Sequence, residues 1–174
     1  GFNLDGLWLE KIRFAGGQFV SVGGNGSHII TTSTDGVIWT RQTTGLESGQ
    51  TRGPYLTAVT SYPRGFIVAG AEGTLISSTE GKSWRRLDPG PGGVRDGIFA
   101  RGEFWFPLRS EMLASSDGTV WRRHPIADFP EQGASLFGLT YTGTSFIGIR
   151  WPRPGLFRSL DGRVWTPVVE GRSY

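Results

Sequence analysis

The sequence predicts an all-β protein built from four copies of one four-stranded unit. Three observations carry this. A heptapeptide of pattern Ser-x-acid-Gly-x-x-Trp occurs four times, with Trp-to-Trp spacings of 45, 37 and 44 residues. A Phe-led apolar run precedes each Trp by 17 to 20 residues. No stretch keeps a sustained helical period. Four short antiparallel strands in a repeat of about 40–45 residues are the pattern of a propeller blade, a sheet whose apolar face needs a neighbour to cover it. The expected fold is a β-propeller of four four-stranded antiparallel blades. It is read either as a four-bladed ring or as half of a larger ring completed by oligomerisation.

The elements follow in order. First strands are expected at 7–14, 55–61, 94–100 and 136–141, each an apolar run rich in β-formers. Second strands begin at Phe19-Val20-Ser21-Val22, Phe66-Ile67-Val68-Ala69, Phe104-Trp105-Phe106-Pro107 and Phe146-Ile147-Gly148-Ile149. In the first unit the four strands are expected at 7–14, 18–23, 28–33 and 37–42. The blades are placed at about 4–45, 52–90, 93–127 and 134–171, within a single domain over 1–174.

The heptapeptides join third strands to fourth. They are Ser33 to Trp39, Ser78 to Trp84, Ser115 to Trp121 and Ser159 to Trp165. Glycine tolerates the positive φ of a tight hairpin, and the acid and Ser side chains can bond turn amides. Asp35, Glu80, Asp117 and Asp161 are therefore expected to fasten turns. Trp39, Trp84, Trp121 and Trp165 are expected to wedge between sheets.

These four motifs resemble the Asp-box, or BNR, repeats of sialidases and related propellers. The Phe-led second strand is similar to that of photosystem II assembly-factor-like propellers. The resemblance covers nearly the whole chain and implies a fold more than an activity, because such repeats occur in enzymes, lectins and scaffolds. One departure favours the assembly-factor-like group: the usual Asp-box has a residue between Asp and Gly, whereas here the pairs Asp35-Gly36, Glu80-Gly81, Asp117-Gly118 and Asp161-Gly162 are adjacent. Sialidase resemblance would also imply an Arg-Ile-Pro-like motif before the first repeat. The nearest match, Arg150-Trp151-Pro152, lies in the last unit.

Composition excludes several classes. With 174 residues the chain can bury a core without disulfides or metal. It has no Cys, which removes thiolate zinc sites and cysteine nucleophiles. No apolar run approaches the roughly 18 residues of a membrane helix. Net charge is +3 without a basic block, which argues against nucleic acid, although 16 of 18 basic residues are Arg. Gly90-Pro91-Gly92-Gly93 lacks P-loop spacing, and His28 and His124 lack the context of a metal pair. No cofactor and no metal are expected, and the chain leans away from being an enzyme.

The second-to-third-strand loops and the inter-blade connections should share one face. Two of those loops are irregular: Leu108 to Glu111, and Arg150 to Gly155. Arg and Trp are enriched at binding hot spots, and Pro lowers ordering cost. The expected ligand-binding residues are therefore Arg109, Glu111, Arg150, Trp151 and Arg153. Three readings stand: a binding or scaffold propeller holding a protein or glycan on that face; a glycoside hydrolase or lyase using acids such as Glu72 and Glu111; and a self-assembling propeller fragment, including a homodimer completing a larger ring. A bacterial periplasmic or extracellular location is the leading expectation.

Overall fold

The computed structural model describes residues 8–24, 28–46, 55–87, 93–126, 135–151 and 155–168. Within them lie four antiparallel sheets, each of four strands in simple meander order. The first sheet holds β1 (Leu9–Ala15), β2 (Gln18–Gly23), β3 (Ile29–Ser33) and β4 (Thr40–Gln42). The second holds β5 (Leu56–Tyr62), β6 (Gly65–Gly70), β7 (Leu75–Ser78) and β8 (Arg85–Arg86). The third holds β9 (Ile98–Ala100), β10 (Glu103–Leu108), β11 (Glu111–Ser115) and β12 (Arg122–Pro125). The fourth holds β13 (Ser135–Tyr141), β14 (Phe146–Trp151), β15 (Gly155–Ser159) and β16 (Thr166–Pro167). Helix among the described residues is confined to a 3-10 turn at Ala71–Gly73, where Glu72 takes φ +56.

Two strand expectations shift. Fourth strands start after the repeat Trp, at Thr40 rather than 37, because side chains bond the heptapeptide amides before the ladder resumes. The run expected at 94–100 pairs only over Ile98–Ala100. Thr57 Oγ1 donates to Val94 O, and Asp96 Oδ1 accepts from Gly97 N, so this backbone is committed away from the ladder.

Packing divides the chain into two compact units, Gly1–Phe99 and Ala100–Tyr174. In the first unit the core joins the two blades. Val20, Val22 and Ile30 form the back of the first sheet, and they meet Leu56, Val59, Phe66, Val68 and Ile76 on the front of the second. Trp84 and Ala15 pack against this cluster. Strand alternation separates the faces: Val20 and Val22 point back, whereas their counterparts one residue out of phase, Phe66 and Val68, point forward. The second unit repeats the joint. Trp105, at the position of Val20, packs on Phe146 of the next sheet with centroids 5.1 Å apart. Arg101 Nη1 donates to Leu160 O at 3.1 Å across the same junction.

Candidate functional site

The four repeated turns are built by local chemistry. In three of them one carboxylate oxygen accepts two turn amides. Asp35 Oδ1 takes Val37 N at 2.8 Å and Ile38 N at 2.9 Å. Asp117 Oδ1 takes Thr119 N at 2.8 Å and Val120 N at 3.0 Å. Asp161 Oδ1 takes Arg163 N and Val164 N, each at 2.9 Å. Bonds from these amides hold the Asp35 and Asp117 carboxyls below the usual range. For Asp161 burial acts upward, yet the Val164 and Arg163 amides outweigh it and the shift is again downward. The preceding Ser hydroxyl accepts the glycine amide at 2.8–2.9 Å in all four turns.

Glu80 differs. Its turn keeps the Ser78 bonds to Glu80 N and Gly81 N, but the longer side chain places no oxygen on the Lys82 or Ser83 amide. The Trp residues differ as well. Trp165 is buried, whereas Trp39, Trp84 and Trp121 are half-buried. Gly148 explains the exception, since a Cβ there would lie 3.4 Å from the Trp165 ring. Phe106 occupies the matching position in the third sheet, and Trp121 stacks over it at 5.0 Å instead of sinking past it.

The expected binding residues all belong to the second unit. Arg109 is exposed in the β10–β11 turn at φ +48. Glu111 begins β11 and is paired with Arg123 Nη1 at 2.7 Å. Arg150 ends on the ring of buried Phe157, with Cζ 5.1 Å from the centroid. Trp151 closes β14 with its backbone opposite Ser135, while its side chain and all of Arg153 lie outside the described residues. Glu72, the other acid of the glycosidase reading, belongs to the first unit.

A cleft of about 300 Å³ opens at the second-to-third-strand end of the first unit, between Glu10, Tyr55, Thr57, Ala71 and the 93–95 segment. Its centre is Glu10. Trp8 Nε1 donates to Glu10 Oε1 at 2.7 Å, and the Tyr55 hydroxyl donates to the same oxygen. The Tyr55 bond holds the Glu10 carboxyl below its ordinary range against the opposing pull of burial, with Trp8, Lys11 and Arg95 assisting. Burial, then the Glu10 bond and charge, push the Tyr55 hydroxyl up to about 12. A tyrosine so raised donates a hydrogen bond and does not serve as a nucleophile near neutral pH. Sequence reading missed this group because Glu10, Tyr55 and Arg95 lie about 40 residues apart. The available signal was their common place at or just before a first strand.

In the same unit, Asp96 is buried at 2% exposure, with Lys11 Nζ at 3.4 Å and Arg13 Nη2 at 3.7 Å. A second groove, of about 430 Å³, lies at the other end of the same unit between Gln18, Arg64, Glu80 and Lys82. His124 lies beside Trp105; burial, then Arg163 and Arg122, lower its pKa. No cluster of three or more His, Asp or Glu suited to a metal occurs among the described residues. No helix among them is long and apolar enough to cross a membrane.

No family model and no curated protein matches the sequence. Solved structures do. The chain is similar to YCF48 from Cyanidioschyzon merolae, with TM-score 0.68 and 16% identity over 95% of this chain and 57% of that one. The chain has the β-propeller fold. It is similar also to YCF48 bound to D1 peptide, with TM-score 0.68 and 16% identity over 91% of this chain and 52% of that one. A GH43 endo-arabinanase from Bacillus licheniformis matches with TM-score 0.55 and 14% identity over 92% of this chain and 79% of that one. The propeller spans about half the length of the YCF48 chains it matches.

Proposed function

We propose that the chain is a non-enzymatic binding propeller that holds a protein, or alternatively a glycan, at the second-to-third-strand end of its blades. The carrying observation is the cleft around Glu10. An ionised carboxylate, fixed by the Tyr55 hydroxyl and the Trp8 indole N–H, keeps acceptor capacity beside the 58%-exposed aromatic face of Trp8. In the second unit the proposed ligand-binding residues are Arg109, Arg150, Trp151 and Arg153. Glu111 there is engaged by Arg123. That YCF48, a protein of similar fold, is known bound to D1 peptide supports a peptide as the first class to test.

The same reading takes 1–174 as one propeller domain, the four turns as Asp-box-type fasteners, and a homodimer as the form that completes a larger ring. The enzyme alternative has less support, because Glu111 is engaged by Arg123 and the Tyr55 hydroxyl is raised. The test is calorimetry with a panel of peptides and a panel of soluble oligosaccharides. The expected result is saturable binding to one panel, weakened by Tyr55→Phe and also by Trp151→Ala, the latter with an unchanged melting curve. Product formation from an oligosaccharide, lost in Glu72→Gln or Glu111→Gln, would replace this reading with the enzymatic one.

A further inference from the structure

The four repeated turns share one frame, so the turn that lacks a part reveals an open position. The Gly81 φ of +75 matches the +76, +78 and +77 of Gly36, Gly118 and Gly162. Ser78 Oγ accepts Gly81 N at 2.8 Å. Trp84 Nε1 donates to Gly81 O at 3.2 Å, as Trp39 and Trp165 donate to Gly36 O and Gly162 O at 3.1 Å. In the other three turns the two amides after the glycine both donate to one Asp oxygen. In the second turn the equivalent amides, of Lys82 and Ser83, have no acceptor among the described residues.

This frame survives without its carboxylate because a neighbour holds it. Gln18 Nε2, from the first blade, donates to Glu80 O at 2.7 Å, and a Cβ on Gly81 would meet the same nitrogen at 2.4 Å. The two amides thus belong to a turn whose frame binds a carboxylate oxygen elsewhere in the chain, and here they stand open. Successive backbone N–H groups in a turn form a concavity for anions.

The surroundings suit an anion. The turn is one wall of the groove of about 430 Å³, whose other walls include Ala15 and Gly16 of the β1–β2 turn and Pro63 and Arg64 of the β5–β6 turn. All of these residues belong to the first unit. Arg64 and Lys82 are exposed and make no ion pair among the described residues. The exposed Glu80 carboxylate opposes an anion, but two cations line the groove with it, and its side chain is not tied to the turn amides.

We propose that this groove is a second binding site, one that takes a carboxylate. The ligand oxygen occupies the place that the Asp oxygen holds in the other turns. The Lys82 and Ser83 amides donate to it, and the Arg64 and Lys82 side chains supply positive charge. Bonds of this kind to an ionised acceptor are stronger than neutral ones. The site lies at the opposite end of the unit from the Glu10 cleft and does not depend on it. Two sources carry such a group, a free small acid and the acidic side chain of a peptide.

The experiment is an NMR titration of the isotope-labelled full chain, read at the Lys82 and Ser83 amide signals. The probes are sodium acetate, a blocked Ala-Glu-Ala tripeptide and inorganic phosphate, with sodium chloride at matched ionic strength as the reference. Both signals should move downfield and saturate with acetate and with the tripeptide. The Val37, Ile38, Thr119 and Val120 amides, already bonded to Asp oxygens, should stay in place. Tighter binding of the tripeptide assigns a peptide source, and equal or tighter binding of acetate assigns a free acid. Arg64→Ala and Lys82→Ala should each weaken binding by about two- to fivefold, the range of an exposed ion pair. Glu80→Asp should abolish binding by supplying the oxygen internally, with both amide signals already downfield before any probe is added. If that variant fails to fold, the Arg64→Ala and Lys82→Ala pair combined in one chain tests the same site through its charge. Signals that move no further with acetate and the tripeptide than with chloride overturn the site. Phosphate binding more tightly than both carboxylates overturns the carboxylate assignment. A Glu80→Asp protein that still binds acetate at these amides overturns the vacant-oxygen argument.

Discussion

Glu80→Asp should stabilise the protein. The second turn keeps the Ser78 bonds but has no carboxylate oxygen on the Lys82 and Ser83 amides, whereas Asp117 Oδ1 holds the equivalent amides at 2.8 and 3.0 Å. Shortening the acid by one methylene brings an oxygen to both. Hydrogen bonds to a charged acceptor contribute about 1.5–3 kcal/mol each when buried. These amides are exposed and otherwise bond water, so the two together should contribute about 1 kcal/mol. For a chain of this size that is a rise in Tm of roughly 2–4 °C. Asp117→Glu should cost a similar amount, because it imposes the second turn's geometry on the third. The pH dependence follows from sign: the folded carboxyl is depressed, so its stabilisation is present above the unfolded value of about 3.9 and is lost as pH falls through the folded value. Thermal melts of both variants near neutrality and in acid make the assay. A Glu80→Asp protein no more stable than the parent, together with an Asp117→Glu protein that loses nothing, would refute the claim that carboxylate–amide bonds hold these turns.

Three further outcomes are expected. Tyr55 is raised to about 12, so its contribution is present below about 10 and is lost as pH rises through 12; alkaline melts should show that loss in the parent and not in Tyr55→Phe. Asp96→Ala leaves Lys11 and Arg13 without their buried carboxylate. Because both cations can turn partly to solvent, the cost in chemical denaturation should be about 2–3 kcal/mol, at or below the usual loss for a broken buried pair. Gly36→Ala and Gly162→Ala share a φ near +76, so both carry the backbone cost of about 1 kcal/mol, but only Gly162→Ala drives a Cβ into the Trp105 ring and should lose a further 2 kcal/mol or more. Equal costs at the two glycines would show that the Trp105 contact is not a packing constraint.

What the sequence made legible is what local chemistry dictates. The Ser hydroxyl, the acid and the glycine of each heptapeptide act within three residues of one another, so their spacing predicts the turn. Alternation likewise predicts strands such as β2, whose bounds of 18–23 are met. Less legible were features set by distant partners. Whether a repeat Trp is buried depends on the residue facing it, Gly148 for Trp165 and Phe106 for Trp121, and no pattern inside the heptapeptide carries that. The 94–97 segment reads as strand by composition, but the Val94 carbonyl accepts from Thr57 and the Gly97 amide donates to the Asp96 side chain. The candidate cleft is assembled from Glu10, Tyr55 and Arg95, whose relation appears only when blades stack.

The glycine of the repeat connects the local level to the tertiary one. Its positive φ makes the turn, which any blade needs in isolation. Its missing Cβ also admits the back of the preceding blade to within contact distance, as at Gln18 and Trp105. A residue selected for the turn alone could be Asn, which tolerates left-handed backbone. Glycine stands at all four positions, and at Gly81 and Gly162 a Cβ would meet the preceding blade at 2.4 and 2.5 Å, so at those two turns the packing as well as the backbone excludes Asn.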